Sequence, residues 1–293
     1  MSIVSIGYNN DNIAHSINDA LKELDFKDII SHKVVAIKPN ETYATRNNID
    51  SVTHGETLQA VIRYIKKFNP KKIVVSGGAG ATETEKVFRY TGMIDVIHEE
   101  KVEFFDHNKP PFEEVELDIG PQNKVMVNPR VFEYETLISL AQHKLHTSAT
   151  VTLCLKNIAM SYPAADYYGH PRLDKRHEHC FFEDIHMFIL GMVKRFPIQL
   201  GIIVGHPSMI GTGPLKGKAI ETGLAIASRD AVAADAVGAK LFGFNHWAVK
   251  HLFEAGKAGL GKSHLSEIKI KGISLKRAIK IFTKKAYGEE LDF

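Results

Sequence analysis

The feature that most constrains this chain is a series of short apolar runs, each ending abruptly in lysine, glycine or histidine. They are Val34-Val35-Ala36-Ile37 before Lys38-Pro39-Asn40, Ile73-Val74-Val75 before Ser76-Gly77-Gly78-Ala79-Gly80, Leu137 to Ala141 before Gln142-His143-Lys144, and Ile202-Ile203-Val204 before Gly205-His206. Runs that do not alternate with polar residues predict strands buried on both faces, as in a parallel sheet. Pro39 lacks an N–H and ends the first of them. Between the runs, apolar residues recur at helical spacing: Ile13, Ile17, Leu21 and Leu24; then Leu58, Val61, Ile62 and Ile65; then Phe181, Ile185, Phe188, Ile189 and Met192. Asp11 or Asn12 is placed to cap the first helix, and Thr53 with Glu56 and Thr82 with Glu85 read as capping boxes. Asp230 caps a small-residue helix over Ala231 to Phe242, and Asp235 inside it needs a partner if buried. Val102 to Phe105, Lys124 to Val127 and Thr222 to Ala227 read as further strands, and Ile268 to Lys285 as a surface helix with its lead-in. Strand and helix in alternation predict an α/β fold: a mainly parallel sheet with helices on both faces, built from βαβ repeats. At 293 residues the chain is expected to form one domain over residues 1–293, or two lobes.

Several classes are excluded by what the chain lacks. A formal charge of +3, spread along the sequence with no basic cluster interleaved with aromatics, gives no nucleic-acid footprint. No apolar run reaches the roughly 18 residues of a membrane span. Met1 to Gly7 has neither a basic region nor a long apolar core, so it does not read as a signal peptide. The two cysteines, Cys154 and Cys180, are too few to hold a typical iron–sulfur cluster alone. The expectation is a cytoplasmic protein with reduced thiols and a small anionic molecule as partner, with room for a homo-oligomer and no role for nucleic acid or membrane.

The candidate chemistry gathers where strands end, because ligands of parallel α/β sheets sit beyond the carboxyl ends of the strands. Lys38 and Asn40 leave one strand, and Gly77, Gly78 and Gly80 form a strand-to-helix turn whose N–H groups suit an anion. After Leu137 to Ala141 comes a polar cluster, read here as the turn out of the strand: His143, Lys144, His146, Thr147 and Ser148. Lys156 and Asn157 close a second apolar run, and Gly211-Thr212-Gly213-Pro214 is a second glycine-rich loop. Imidazole titrates near neutrality, which makes His146 the candidate acid–base group and His143 a second base; the two are also the candidate ligands of a divalent metal. Lys38, Lys144 and Lys156 are the candidate anion holders. Residues at about 160–186 form a polar, histidine-rich insertion that includes Asp166, His170, His177, His179 and His186. Its spacing matches no metalloprotease helix.

Motifs spread over nearly the whole chain resemble one family. They are Ile37-Lys38-Pro39-Asn40; Lys72 to Val75 with its glycine-rich exit; Lys144-Leu145-His146 followed by Thr152 to Asn157; Gly211 to Pro214 with Gly217; and Ser228 to Val237. In order and spacing they resemble the DUF362 family, whose function is unassigned. Some members carry a cysteine-rich ferredoxin-like segment that this sequence lacks. Two places depart from the family pattern. Residues 53–55 read Thr-His-Gly where many members have Thr-Asp-Pro, and residues 204–206 read Val-Gly-His where many have Val-Asp-Gly. Each departure loses a carboxylate and gains an imidazole. A more distant likeness is to nickel-dependent lactate racemase-like proteins, in which a His at a strand exit is followed ten residues later by a Lys, as His146 is by Lys156. That likeness implies His acid–base chemistry and a Lys contact to a nickel-bearing nucleotide.

The expectation that follows is an enzyme, isomerase- or lyase-like, acting on a small carboxylate or phosphate, with His146, Lys156 and His143 in catalytic roles and a divalent metal as an optional aid. The alternatives are a redox or iron–sulfur accessory protein and a non-catalytic module that binds a phosphate ligand. Fold alone chooses none of these.

Overall fold

The structure is a computed structural model, and it describes residues 1–170 and 183–293. The strands run β1 (Ser2–Tyr8), β2 (Val34–Pro39), β3 (Lys72–Gly77), β4 (Glu103–Asp106), β5 (Glu113–Glu116), β6 (Lys124–Val127), β7 (Thr136–His146), β8 (Thr150–Thr152), β9 (Leu200–Ile210), β10 (Lys218–Ile220), β11 (Leu224–Ser228) and β12 (Ile268–Gly272). The helices are α1 (Ile13–Lys22), α2 (Lys27–Ile30), α3 (Gly55–Lys66), α4 (Thr84–Tyr90), α5 (Met93–Glu99), α6 (Cys154–Ala159), α7 (Ala165–Tyr168), α8 (Ile185–Arg195), α9 (Ala231–Leu241), α10 (Lys250–Lys257) and α11 (Leu275–Tyr287).

One large sheet takes the order β12-β1-β11-β9-β7-β2-β3-β4. Neighbours from β9 to β4 are all parallel, as is β12 beside β1; β11 alone runs against both β1 and β9. The expected mainly parallel α/β architecture is therefore present. Period-two alternation divides the strands between two cores. Val35, Ile37, Ile138, Leu140 and Ile202 face α1, α3 and α5. Ala36, Leu137, Ala141 and Ile203 face α6, α8, α9 and α11. Asn12 caps α1 by accepting from Ala14 and His15 N–H, and Asp230 caps α9 through Ala233 N–H.

Other local expectations are corrected. Thr53 is not the cap of α3, which starts at Gly55 behind His54; its hydroxyl accepts from Asn40 N–H, joining the exit of β2 to the α3 entry. Thr82 does not cap α4 either, since that helix begins after Glu83. The lead-in to α11 is strand β12, paired with β1. Strands β5 and β6 form a separate two-stranded ribbon. Of the polar insertion, Met160–His170 and Glu183–His186 are described; His177 and His179 lie outside the described residues, as do Phe181 and Cys180. No helix among the described residues is long and apolar enough to cross a membrane.

Candidate functional site

Of the polar cluster after Ala141, Thr147 and Ser148 lie in the turn between β7 and β8, but the residues up to His146 do not form a turn. Gln142 to His146 are the second half of β7, an 11-residue strand, which β9 continues to accompany past an irregularity between Gln142 and Lys144. Strand alternation then separates residues that looked like neighbours. His143 turns toward α9 and α11. It is buried, its Nδ1 lies 3.1 Å from Ser208 Oγ and its Nε2 2.9 Å from Gly238 O, and its ring stacks on Phe242. A carbonyl only accepts, so Nε2 carries the proton and Nδ1 accepts from Ser208. Desolvation pushes its pKa down to about 4, so this imidazole is a neutral, fully partnered core residue. It does not join His146 as a base or as a metal ligand.

Lys144 points the other way. Its ammonium donates to Asn40 Oδ1 at 2.8 Å and Ser51 O at 2.6 Å. Asn40 donates to Asn157 Oδ1 at 3.1 Å, and Lys38 donates to the same oxygen at 2.8 Å. Asn157 in turn donates to Lys38 O and Ser139 Oγ. The exits of β2 and β7 and the helix α6 are thus stitched into one network, with Lys38 at 3%, Lys144 at 0% and Lys156 at 8% exposure. Burial, with Lys156 and Lys38 close by, drives the Lys144 pKa well below the usual lysine range. Neutralising a buried amine in this way costs less than burying its charge unpaired.

The short helix α6 is held by a residue from elsewhere. Leu153 at its start has no capping side chain, and Asp235 of α9 fills the role. Its two carboxyl oxygens accept from Cys154 N–H at 2.8 Å and Leu155 N–H at 3.0 Å. This is the partner that a buried Asp235 required. Desolvation nevertheless raises its pKa to about 7. The helix end so anchored carries Lys156 and Asn157.

The glycine-rich turn does hold an anion, but it is the chain's own. Gly78 N–H donates to Glu41 Oε1 at 2.9 Å, and Ser161 Oγ donates to the same atom. Glu41 Oε2 sits 2.6 Å from Lys38 Nζ in a buried ion pair. A side chain on Gly78 would collide with Ser161 O, and one on Gly77 with Thr84 and Phe88, so both glycines also serve close packing. Glu41, Ser161 and Thr152 were missed in the sequence; for Glu41 the one available signal was its place directly after Asn40.

These groups line a narrow cleft with about 10 Å³ of free space, formed by Lys38, Asn40, Glu41, Gly78, Gly80, Thr152, Lys156 and Asn157, with Thr42 and Met160, enough for about one water. Thr152 Oγ1 is buried there and has no hydrogen-bond partner among the described residues. His146 stands outside the lining, close enough for Lys156 and Lys144 to lower its pKa, after desolvation, to about 2. Its Nδ1 accepts from Ser148 N–H and Ala149 N–H, which places the proton on Nε2. It is thus a neutral donor rather than a group poised to titrate near neutrality. Gly211 and Gly213 lie apart, in the β9–β10 hairpin, where Gly213 O accepts from Thr147 N–H and Gly213 packs on Leu145 O.

A second polar cluster lies at the α3 entry and the middle of β9. His54 and His206 sit edge to face with ring centres 5.6 Å apart. His206 lies between Glu56 and Glu221, each at 2.6 Å. These carboxylates, Glu221 foremost, hold its pKa up at about 9.

The family described as "Domain of unknown function (DUF362)" matches residues 35–240. The chain belongs to the DUF362 family. That span contains β3, β7, α6 and nearly all of β2, with the cleft they form, and every family motif named above falls inside it. No curated protein matches the sequence. Among solved structures the chain is similar to the lactate racemase apoprotein from Thermoanaerobacterium thermosaccharolyticum, with a TM-score of 0.50 and 14% identity over 82% of this chain. The DUF362 chain spans 56% of that protein's length, and the likeness is one of fold.

Proposed function

We propose that the protein is an enzyme that binds a small carboxylate or phosphate in the lysine cleft and carries out isomerisation or elimination chemistry beside that group. The observation that carries the reading is convergence: Lys38 and Lys156 from different elements, Asn157, and the partnerless Thr152 hydroxyl all line one small cleft at the strand exits. In this reading the substrate's anionic group takes the place that the Glu41 carboxylate fills, Lys38 and Lys156 hold it, and Thr152 and Asn157 orient it. Lys144 holds Asn40 in place from behind. His146, fixed as the Nε2–H tautomer, donates to negative charge as it develops on the substrate, which is how a neutral imidazole contributes most.

The nickel-bearing nucleotide implied by the racemase likeness does not fit this cleft. With about 10 Å³ of free space it falls far below the roughly 300–1,000 Å³ of pockets that take drug-sized ligands. The Gly78 N–H that would receive a phosphate already donates to Glu41. An iron–sulfur role has as little support, since Cys154, the one cysteine among the described residues, is buried and its thiol is pushed well above the usual range.

The test is a thermal-shift screen of small 2-hydroxy acids, other carboxylates and phosphates, followed by product analysis by NMR for each that stabilises. Lys156→Ala is expected to remove both the shift and the turnover; His146→Ala is expected to keep the shift and lose turnover by about 100-fold or more, as for loss of one oxyanion donor. Both should melt close to the parent. Glu41 already pairs with Lys38, which favours a second reading, a binding module without chemistry; stabilisation with no turnover of any ligand would select it. No stabilisation by any anion would remove both.

A further inference from the structure

We infer that His54, Glu56 and His206 form a divalent-cation site, distinct from the lysine cleft, with Glu221 supporting it. One ligand atom from each of the three lies within 4.8 Å of the others. The residues come from two separate elements, the entry of α3 and the middle of β9, and both stand at the carboxyl-end rim of the sheet. They also include both imidazoles that the sequence singled out as departures from the family pattern.

The hydrogen bonds orient the ring nitrogens as a metal site requires. His54 Nε2 lies 3.1 Å from Ile49 O. A carbonyl only accepts, so Nε2 carries the proton and Nδ1 keeps a lone pair. His206 uses Nδ1 toward Glu221 and Nε2 toward Glu56. With a cation bound, Nε2 and the Glu56 carboxylate turn to the metal, while Nδ1–H continues to donate to Glu221. A metal-bound histidine that donates its other N–H to a carboxylate or a carbonyl is the usual supporting arrangement, and here Glu221 and Ile49 O supply one each. Two imidazoles and a carboxylate suit zinc, cobalt or nickel better than magnesium or calcium, which prefer all-oxygen shells. Three protein ligands leave a coordination position open. A cavity of about 260 Å³ lined by Glu56, His206 and Glu221 with Asn9, Asn12 and Gly223 adjoins the cluster, room for water or a small ligand. The inference does not depend on the reading of the lysine cleft, because it is tested by binding alone.

The experiment uses untagged full-length protein stripped with chelator, titrated with Co²⁺ and Zn²⁺ by calorimetry, with the Co²⁺ absorption spectrum recorded alongside. One equivalent per chain is expected, with visible bands of a four- or five-coordinate Co²⁺. His206→Asn and His54→Ala should each weaken binding by 100-fold or more, and Glu221→Gln by about 10- to 100-fold as for a supporting partner. Circular dichroism confirms that each variant is folded, and the double variant His177→Ala/His179→Ala should bind as the parent does. Absence of stoichiometric binding at millimolar metal overturns the inference. So does binding that survives in His54→Ala and His206→Asn but is lost in the His177/His179 variant.

Discussion

Glu41 puts a carboxylate where an external anion would otherwise sit, taking both the Gly78 N–H and the Lys38 ammonium. Glu41→Gln keeps an acceptor for Gly78 but breaks a buried ion pair. It is expected to cost roughly 3 kcal/mol, the low end for such a loss, measured by urea denaturation. The same variant should be stabilised more by phosphate or carboxylate than the parent is, because Lys38 then has no carboxylate from Glu41 beside it. Equal stabilisation would mean that the bound anion does not reach Lys38. His143 carries a different expectation. Its folded pKa of about 4 lies below its usual 6.5, so as pH falls from 6.5 to 4 the unfolded chain takes up a proton that the native chain refuses. Its contribution is complete above 6.5 and declines by about 1.4 kcal/mol per pH unit below. His146 and His251, lowered to about 2 and about 3, add in the same direction. Asp235, raised to about 7, opposes them by one proton between its usual value and 7. His143→Gln should flatten the stability–pH profile by one proton's worth in this window; an unchanged slope would show that His143 titrates normally in the fold.

At the level of elements, α6 depends on a cap from another helix. Asp235→Ala leaves Cys154 and Leu155 N–H groups buried without acceptors and should cost about 2 kcal/mol or more. Because α6 carries Lys156 and Asn157, anion-induced stabilisation should fall with it; calorimetric titration with phosphate on the folded variant would show this. How much of this was legible depended on the periodicity of each element. The runs of β2, β3, β7 and β9 and the stripes of α1 and α3 showed plainly, because burial on two faces or one leaves a pattern. The second halves of β7 and β9 did not. Gln142, His143, Lys144 and His146 end the apolar run, so the sequence reads as a strand end where only the strand's surroundings change. Once the strand continues, alternation sends His143 into the core and Lys144 to Asn40 behind the cleft, a division that a turn would not impose. Thr53 and Thr82 satisfied a capping pattern by spacing alone; Thr53 met a nearer demand, the N–H of Asn40. The glycines were legible as tight turns, but Gly78 serves an internal carboxylate that local sequence cannot place in space. Lys38, Asn40, Lys156 and Asn157 were all named in advance because each directly follows or belongs to an apolar run.

Across the whole molecule, β9 and β7 lie at the centre of the sheet and β12 and β4 at its ends. Amide hydrogen exchange is expected to be slowest in β7, β9 and β2, approaching the global unfolding free energy there, and faster by orders of magnitude in β4 and β12. Comparable protection at the centre and the ends would argue that the sheet opens only as a unit. The placement of β1 has a further consequence. It is the first strand in the chain, yet its partners are β11 and β12, more than 200 residues downstream. While the chain is being synthesised, β2, α3, β3 and β4 can pair and bury their faces locally as they emerge. The first strand meanwhile has no edge to join until Leu224–Ser228 has left the ribosome. Its exposed pairing groups during that interval make it the segment on which a holdase would act, and joining these distant strands is the step that should set the folding rate, since such closures are slow.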